Sequence, residues 1–314
     1  MPFLTIGLPT YDDFDGVYFT IQALRMYQDL DDVEVLVVDN FGCDTTHHFV
    51  AGVPGVRYER LAGPTGTAVA KNHVFRAAKG DVVLCIDSHV LLAPDAVARL
   101  VRYCRASRSP RDLLQGPLWL DDLHSAGVAT HLSSTWSDGM QGQWSTDERG
   151  ISEDSPPFDI PSQGMGLFAH RRDTWPGFNP LFRGFGGEEG YLQEKVRQQG
   201  GRVLCLPFLR WVHRFQRPHG APYRVRTWDK CRNALIGHLE LGLDPRPVVD
   251  HFGTLLPYEV LEQVAAAVHH DLGAVSETAL ADLWTSVREQ KSREGVEAPP
   301  FGDAATDEEP PPRG

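Results

Sequence analysis

The chain has 314 residues, of which 41% are hydrophobic and 23% are charged, so it can bury one large or two modest cores and is neither disordered nor fibrous. Thirty basic against 42 acidic residues give a formal charge of −12, which argues against coating of nucleic acid or of anionic membranes unless basic residues cluster. No apolar run approaches the roughly 18 residues of a membrane-spanning helix, and the first residues lack a secretory-signal pattern. We therefore expect no membrane span and a cytoplasmic location.

The first hundred or so residues alternate apolar strands with helical segments. The strand-like runs are FLTIGL, VEVLVV, VRYER and VVLCI, and the helical segments cover about 16–27, 67–78 and 94–104, with a turn-rich segment after the second strand. Short, continuous apolar strands separated by helices are typical of a parallel sheet covered on both faces. The predicted fold class is therefore α/β, doubly wound and mostly parallel.

The second half is less regular. Residues 112–161 are rich in Trp, Gly, Ser and Asp, which predicts long irregular connections over a site. Regularity returns with the strand QGMGLFAHR, a helix at about 188–199, the strand RVLCLPF, and two further helices between about 222 and 290. Residues 294–314 contain six acidic residues, five prolines and one arginine, which predicts a disordered tail.

The cysteine pattern limits the chemistry of any metal site. Five cysteines are an odd number, widely spaced and without a CxxC pair, so we expect reduced thiols buried in the core. The spacing also excludes a structural zinc site built from thiolates. A metal in this chain must use carboxylate or imidazole ligands.

Two candidate metal ligands follow the apolar strand VVLCI. Asp87 and His89 stand at positions i and i+2, and the two-residue period of a strand puts both side chains on one side. They fall beyond the carboxyl end of a strand, where ligands bind in open α/β sheets. This pair suits a divalent ion such as manganese, and His213, after another apolar strand, is a candidate third ligand. The alternatives are a turn cap for Asp87 and an ordinary polar or core role for each histidine.

A nucleotide pocket is predicted at the ends of the first two strands. Asp39 closes VEVLVVDN, and Thr10 and Tyr11 follow the first strand, so a carboxylate and an aromatic ring are available for a base or ribose. Ordinary turn chemistry is the alternative. The segment GPTGTAVAKN opens a helix with Lys71 on it and is a weak phosphate motif, because the Walker A spacing is absent.

Two further segments carry charges in a concentrated form. Residues 210–232 contain seven Arg or Lys and one Asp, interleaved with aromatic residues, which suits a diphosphate or a nucleic-acid acceptor, or else a solvated helix face. The segment FRGFGGEEGYLQEKVRQQGG places Glu188 and Glu189 at a predicted helix start. These carboxylates either cap the helix or bind a sugar or acceptor hydroxyl.

In this order and spacing, the pieces from Leu4 to Gly237 resemble GT-A nucleotide-sugar glycosyltransferases of the family-2 type, above all the polypeptide N-acetylgalactosaminyltransferases. That family binds manganese with an Asp-Ser-His and a later His, which Asp87, Ser88, His89 and His213 match. Its Trp-Gly-Gly-Glu-Asn element resembles residues 185–189, with Phe185 for the tryptophan and Glu189 for the asparagine. Asp39 matches the acid that reads uracil, and Lys71 falls where the family has an arginine.

The resemblance implies transfer of a hexose or N-acetylhexosamine from a UDP-sugar to an acceptor hydroxyl, in a bacterial or viral relative. Protein hydroxyls follow the resemblance, whereas a hydroxylated DNA base or a glycan would suit the basic, aromatic segment. The resemblance also implies Mn²⁺ or Mg²⁺ as cofactor and favours retention of configuration; Glu188 or Glu189 would be the base of an inverting enzyme. The site residues that we assign to the donor and its leaving group, besides the three metal ligands, are Thr10, Tyr11, Asp39, Lys71, Ser88, Gly166, Arg214 and Arg217.

We expect a catalytic domain over residues 1–240, with a nucleotide-binding half over about 1–110 and an acceptor half over about 111–240. A helical extension over 241–293 and the tail follow. Two alternatives remain. A nucleotidyltransferase would need a basic glycine-rich loop after the first strand, where GLPTYDDFDG has no basic residue. A non-catalytic nucleotide-sugar-binding module would have lost its metal ligands, and all three candidates are present.

Overall fold

A computed structural model of the chain describes residues 1–63, 65–107, 109–120, 127–137, 139–215, 220–272 and 277–294. The segment predicted as a disordered tail, 294–314, lies outside the described residues except for Glu294, which ends the last helix. In the described part of the chain, no helix combines the length and the apolar content that spanning a membrane requires.

The first part of the chain forms the parallel half of an eight-stranded sheet. Its elements are β1 (Leu4–Thr10), α1 (Phe14–Tyr27), β2 (Val33–Asp39), α2 (Asp44–Ala51), β3 (Val56–Arg60), α3 (Thr67–Ala77) and β4 (Val82–Ile86). β1 lies between β2 and β4 and is parallel to both. Helix α2 lies in the segment that we predicted as turns, because its eight residues bury only Thr46 and Val50 and so show little helical periodicity.

Short strands extend the sheet and build a second one. They are β5 (Val90–Leu92), β6 (Leu113–Gln115), β7 (Leu118–Trp119), β8 (Val128–Ala129), β9 (His131–Leu132), β10 (Trp136–Ser137), β11 (Met140–Gln141), β12 (Trp144–Ser145), β13 (Phe158–Asp159), β14 (Leu167–Arg171), β15 (Val203–Cys205) and β16 (Trp211–His213). Helices α4 (Ala96–Ala106) and α5 (Tyr191–Gln198) and two 3₁₀ turns (Glu148–Gly150 and Arg172–Thr174) connect them.

The large sheet is mostly parallel but not entirely so. Its strand order is β13-β15-β6-β14-β4-β1-β2-β3, with β14 antiparallel to both β4 and β6. The second sheet has the order β5-β16-β7-β8, and β9 with β12 and β10 with β11 form two-stranded pairs. The α/β fold with a mostly parallel sheet is therefore confirmed.

The C-terminal part is helical. Its helices are α6 (Thr227–Glu240), α7 (Arg246–Phe252), α8 (Tyr258–Leu272) and α9 (Glu277–Glu294). The prediction of two helices after residue 222 was wrong, because Pro245 and Pro257 each precede a new helix and divide the segment. Apolar side chains of α7 to α9, such as Phe252 and Val264, belong to the same buried cluster as Phe168 of the sheet.

The five cysteines are free thiols. Cys85, Cys104, Cys205 and Cys231 are buried, as predicted, whereas Cys43 is only half-buried beside the start of α2. Burial raises the pKa of the Cys104 and Cys205 thiols to about 12. These thiols therefore act as small apolar core groups.

Candidate functional site

Polar side chains from three strands meet at one edge of the large sheet. β1, β2 and β4 are parallel, so their carboxyl ends lie together, and Thr10 is directly opposite Asp39 in the register. Asp87 and His89 follow β4. β16 brings the third candidate ligand from far along the chain, because its residue His213 pairs with Val90 of β5.

Asp87, His89 and His213 converge on one point. One potential ligand atom from each residue lies within 4.8 Å of the other two. Nε2 of His89 is 3.1 Å from Nε2 of His213, which is 3.5 Å from Oδ2 of Asp87. Two imidazole nitrogens bound at right angles to one cation, each about 2.1 Å from it, lie roughly 3 Å apart. The three residues therefore fit the divalent cation that their chemistry predicts.

A buried lysine supports the charge of Asp87. Nζ of Lys71 is 3.7 Å from Oδ1 of Asp87 and donates to the carbonyl of Met165 at 2.9 Å. Burial acts to raise the pKa of Asp87, but the charge of Lys71 and the hydrogen bond from His213 outweigh it and hold that pKa well below its usual range. Asp87 is therefore ionised at neutral pH, as a metal ligand must be.

Asp13 was not among the predicted site residues, yet it touches three groups at this site. Its Oδ2 atom accepts from Nδ1 of His89 at 2.7 Å and from Oγ of Ser88 at 3.0 Å, and Oδ1 accepts from Nη2 of Arg214 at 3.0 Å. Ser88 is buried and its hydroxyl is directed to Asp13. The one signal in the sequence was the run of acids after β1, in which only Asp13 stands at the N-cap of α1.

Gly166 lies against His213, the third candidate ligand. Its carbonyl accepts from the backbone N–H of Asp87 at 2.9 Å. A Cβ at this position would lie 3.0 Å from the ring of Trp211 and 3.1 Å from Cδ2 of His213. The glycine therefore leaves the space in which the Trp211 and His213 rings pack.

The predicted nucleotide residues lie at the ends of β1 and β2. The Asp39 carboxylate is fully buried and accepts four hydrogen bonds: from the backbone N–H groups of Phe41, Gly42 and Cys43, and from the hydroxyl of Tyr58. These bonds use its acceptor capacity to shape the loop after β2. Thr10 is buried, and its Oγ1 atom has no hydrogen-bond partner among the described residues.

An aromatic group extends from this edge toward the second half of the chain. The ring of Tyr11 lies 5.0 Å from that of Phe41 and 5.9 Å from that of Tyr223, and Tyr223 stacks at 5.9 Å on Phe185. Phe41 is half-exposed. These rings offer flat apolar surfaces beside the polar edge of the sheet.

The two adjacent glutamates face different surroundings. Glu188 is buried and accepts a hydrogen bond from the hydroxyl of Thr67. Burial, with the charge of Glu189 second, raises the pKa of Glu188 to about 8. Glu189 is half-buried and lines a small pocket, whose other walls include Trp136, Gln141, Tyr191, Lys230 and His238. We predicted a helix at 188–199, but α5 begins at Tyr191. Neither glutamate therefore lies inside this helix.

In the described part of the basic segment, residues 210–215 and 220–232, the arginines do not form one continuous anion site. Arg210 donates to the carbonyl of Gly150 and lies over the ring of Trp119, and the buried Arg232 donates to Leu181 and Asp271. Among the described Arg and Lys residues of this segment, Arg214 lies beside the candidate ligands. Arg217, which we predicted to contact the donor, lies outside the described residues.

Comparison with known proteins identifies related sequences. Residues 5–109 match the family described as Glycosyl transferase family 2. The chain is 29% identical over 209 residues to mouse polypeptide N-acetylgalactosaminyltransferase 10, covering 61% of this chain and 34% of that protein. It is 29% identical over 102 residues to the uncharacterized glycosyltransferase YfnE of Bacillus subtilis, covering 31% of this chain and 26% of that protein. The chain thus spans about a third or less of these relatives.

Solved structures show the same fold at low identity. GalNAc-T7 with UDP, GalNAc and Mn²⁺ has a TM-score of 0.60 at 16% identity, covering 94% of this chain and 58% of that chain. Mannosyltransferase PcManGT from Pyrobaculum calidifontis, in complex with GDP-Man and Mn²⁺, has a TM-score of 0.53 at 19% identity, covering 94% and 84%. S. aureus TarS with UDP-GlcNAc has a TM-score of 0.53 at 14% identity, covering 94% and 92%. The fold is therefore GT-A-like, as the resemblance in sequence implied.

Proposed function

We propose that this chain, which contains a glycosyltransferase family 2 domain over residues 5–109, is a metal-dependent glycosyltransferase. Its donor is a UDP-sugar carrying a hexose or N-acetylhexosamine, and its acceptor is a hydroxyl group. The observation that carries this proposal is the convergence of Asp87, His89 and His213 at the carboxyl edge of the sheet, with ligand atoms within 4.8 Å of one another.

Those three residues would hold Mn²⁺ or Mg²⁺. When bound, such a cation supplies Lewis-acid stabilisation of the diphosphate leaving group, an effect of several kcal/mol. Arg214 follows His213 directly, and its guanidinium is held beside the ligands by Asp13. It adds a fixed positive charge where negative charge accumulates as the nucleotide leaves. Lys71 acts indirectly, since its ammonium lies within the core behind Asp87.

The nucleotide would lie between the ends of β1 and β2 and the aromatic group. Tyr11 and Phe41 offer ring surfaces to the base, and Thr10 has a hydroxyl without a partner among the described residues. Asp39 supports this pocket by fixing the loop that carries Phe41. Because the structures compared above hold UDP with GalNAc, UDP-GlcNAc or GDP-Man, the choice of UDP rests on the resemblance to N-acetylgalactosaminyltransferases.

Retention of configuration is the stereochemical outcome that we propose. An inverting enzyme needs an ionised carboxylate as general base near the acceptor. Glu188 is poorly suited, since burial raises its pKa and favours the protonated form, and its carboxyl accepts a hydrogen bond from Thr67. Glu189 is the carboxylate that faces the pocket, and we assign it to binding a sugar or acceptor hydroxyl there.

The acceptor is a hydroxyl of a protein, a modified DNA base or a glycan, and we propose that it approaches through the second half of the chain, where the pocket beside Glu189 opens. We propose a cytoplasmic enzyme, bacterial or from a virus-infected cell. The free thiols suit a reducing compartment.

Donor turnover tests the proposed function. The purified protein is incubated with Mn²⁺, a small alcohol as the hydroxyl acceptor and, in separate reactions, UDP-hexoses, UDP-N-acetylhexosamines and GDP-mannose. ³¹P NMR follows release of the nucleotide, and ¹H NMR identifies the anomer of the alkyl glycoside, which does not mutarotate as a free sugar does. We expect slow release of UDP with the anomeric configuration retained, abolished by EDTA. Formation of the inverted glycoside would exclude retention.

A matched pair of variants separates the site from nonspecific effects. His89→Ala removes a ligand, whereas His48→Ala removes an exposed histidine on α2. We expect turnover only in the second variant. Equal turnover in both variants would exclude the metal site, and nucleotide binding without turnover of any donor would favour a non-catalytic binding module.

A further inference from the structure

We infer that Asp13 is the positioning residue of this site: it fixes the tautomer of His89 and couples that ligand to Arg214. This inference rests on the proposed metal site. It adds a residue from the loop between β1 and α1 to a ligand set that comes from β4 and β16.

The Asp13 carboxylate is shared by groups on both sides of the site. Oδ2 is 2.7 Å from Nδ1 of His89, and Oδ1 is 3.0 Å from Nη2 of Arg214. The side chains of Asp13 and His89 are each only 9% exposed, so water competes little for these bonds. One buried carboxylate thus orients both the proposed metal ligand His89 and the Arg214 guanidinium beside it.

The chemistry of the contact decides which nitrogen of His89 carries its proton. A carboxylate only accepts, so Nδ1 donates to Asp13. In the neutral ring, Nε2 then keeps its lone pair, and Nε2 is the atom that lies 3.1 Å from Nε2 of His213. A carboxylate on the distal nitrogen also raises the basicity of a ligating imidazole.

The backbone around Asp13 holds the carboxylate in place without a metal. Asp13 is the N-cap of α1 and accepts from the N–H of Gly16 at 3.3 Å. One turn further along the helix, the hydroxyl of Thr20 contacts the carbonyls of Ser88 and Val90 at 2.9 and 3.0 Å. Helix α1 is thereby tied to the loop that carries His89, so the geometry is set by the fold.

Asp13→Asn tests this role because it preserves shape but removes one acceptor. The amide has one oxygen and one NH₂ group, whereas His89 and Arg214 both need an acceptor. Either the NH₂ group faces His89 and moves its proton to Nε2, or it faces Arg214 and breaks that contact. Asp15→Asn is the matched control, since Asp15 is exposed on the first turn of the same helix.

The first measurement requires neither enzymatic activity nor a bound metal. Long-range ¹H–¹⁵N NMR of the metal-free wild type, with His89 assigned by comparison with His89→Ala, reports which ring nitrogen is protonated. We expect Nδ1–H. An Nε2–H ring in the wild type would overturn the inference, and this measurement needs no Asp13 variant to fold.

The second readout is Mn²⁺ affinity, from the EPR signal of free Mn²⁺ titrated with protein, with thermal unfolding as a check on folding. We expect Asp13→Asn to weaken binding by about 10- to 100-fold and Asp15→Asn to leave it unchanged. Wild-type affinity in folded Asp13→Asn would overturn the inference. If the wild type binds no Mn²⁺, the proposed function fails, while the NMR result still decides whether Asp13 fixes the His89 tautomer.

Discussion

At the scale of single residues, the surroundings of each carboxyl group at the site determine its charge state. Asp87 lies beside the Lys71 ammonium, which favours its ionised form, whereas Glu188 is buried next to another glutamate, which favours its protonated form. The sequence predicted Asp87 as a metal ligand. It predicted Glu188 as a helix cap, as a group that binds a sugar or acceptor hydroxyl, or as the base of an inverting enzyme. Their charge states were not predictable, because Lys71 and Glu188 approach Asp87 only through tertiary contacts.

Glu188→Gln should change how stability depends on pH. The pKa of Glu188 is about 8 in the folded chain against an ordinary 4.5, so the folded state keeps a proton that the unfolded chain loses across this range. Stability of the wild type therefore falls as pH rises through that window, and the glutamine removes this contribution.

Thermal unfolding of both proteins across the same pH range checks this. We expect the advantage of Glu188→Gln over the wild type to grow toward the upper end of the window. Glu148→Gln, at an exposed position, should follow the wild type. A constant difference between Glu188→Gln and the wild type would show that folding does not raise the pKa of Glu188.

The position of Asp13 at the site could not be predicted from the sequence. Asp12, Asp13 and Asp15 are chemically alike along the chain, and only the start of α1 decides which of them caps the helix. The contact with His89 spans 76 positions. By contrast, the convergence of Asp87, His89 and His213 could be predicted, because Asp87 and His89 follow β4, His213 ends β16, and carboxyl ends of strands collect ligands.

At the scale of elements, β16 completes the site from outside the central sheet. It pairs with β5 and lies beside Gly166, the residue before β14. The regular strands and helices of the first half were predictable from their apolar runs. The second sheet was not, since its strands have two or three residues and are held by partners distant in sequence.

Gly166→Ala should disturb the proposed metal site through packing. The new Cβ would lie 3.0 Å from the buried Trp211 ring and 3.1 Å from His213, so His213 must shift. We expect the free energy of unfolding to fall by about 1–3 kcal/mol. We also expect Mn²⁺ affinity to fall at least about 10-fold, as it does when a residue that orients a metal ligand is replaced.

Urea unfolding and Mn²⁺ titration by EPR measure the two effects. Gly52→Ala is the control, because Gly52 has right-handed helical angles and its nearest contact would be an ordinary 3.4 Å. Unchanged Mn²⁺ affinity in Gly166→Ala would mean that His213 tolerates the displacement or is not a ligand.

At the scale of the whole molecule, the C-terminal helices share a core with the sheet. Phe252 of α7 is fully buried, packs against Trp136 of β10, and belongs to the cluster that contains Phe168 of β14. The division into a catalytic domain over 1–240 and a helical extension over 241–293 stays a prediction. The shared core indicates that the two parts unfold together.

Phe252→Ala tests this cooperativity. Removing a fully buried phenylalanine should cost about 3–5 kcal/mol, and one unfolding transition should report the loss by both tryptophan fluorescence and circular dichroism. Two separate transitions, of which the substitution shifts only one, would show that the helices are an independent unit.

The central claim is that Asp87, His89 and His213 hold the cation through which a nucleotide diphosphate is bound. Calorimetric titration of UDP into the wild type, His213→Ala and His48→Ala, each with Mn²⁺ or with EDTA, tests it most directly. We predict that UDP binding requires Mn²⁺ in the wild type and in His48→Ala. In His213→Ala we predict a UDP affinity at least about 100-fold lower, a larger loss than that expected from replacing a residue that only orients a ligand. Equal UDP binding with EDTA, or in His213→Ala, would contradict the claim.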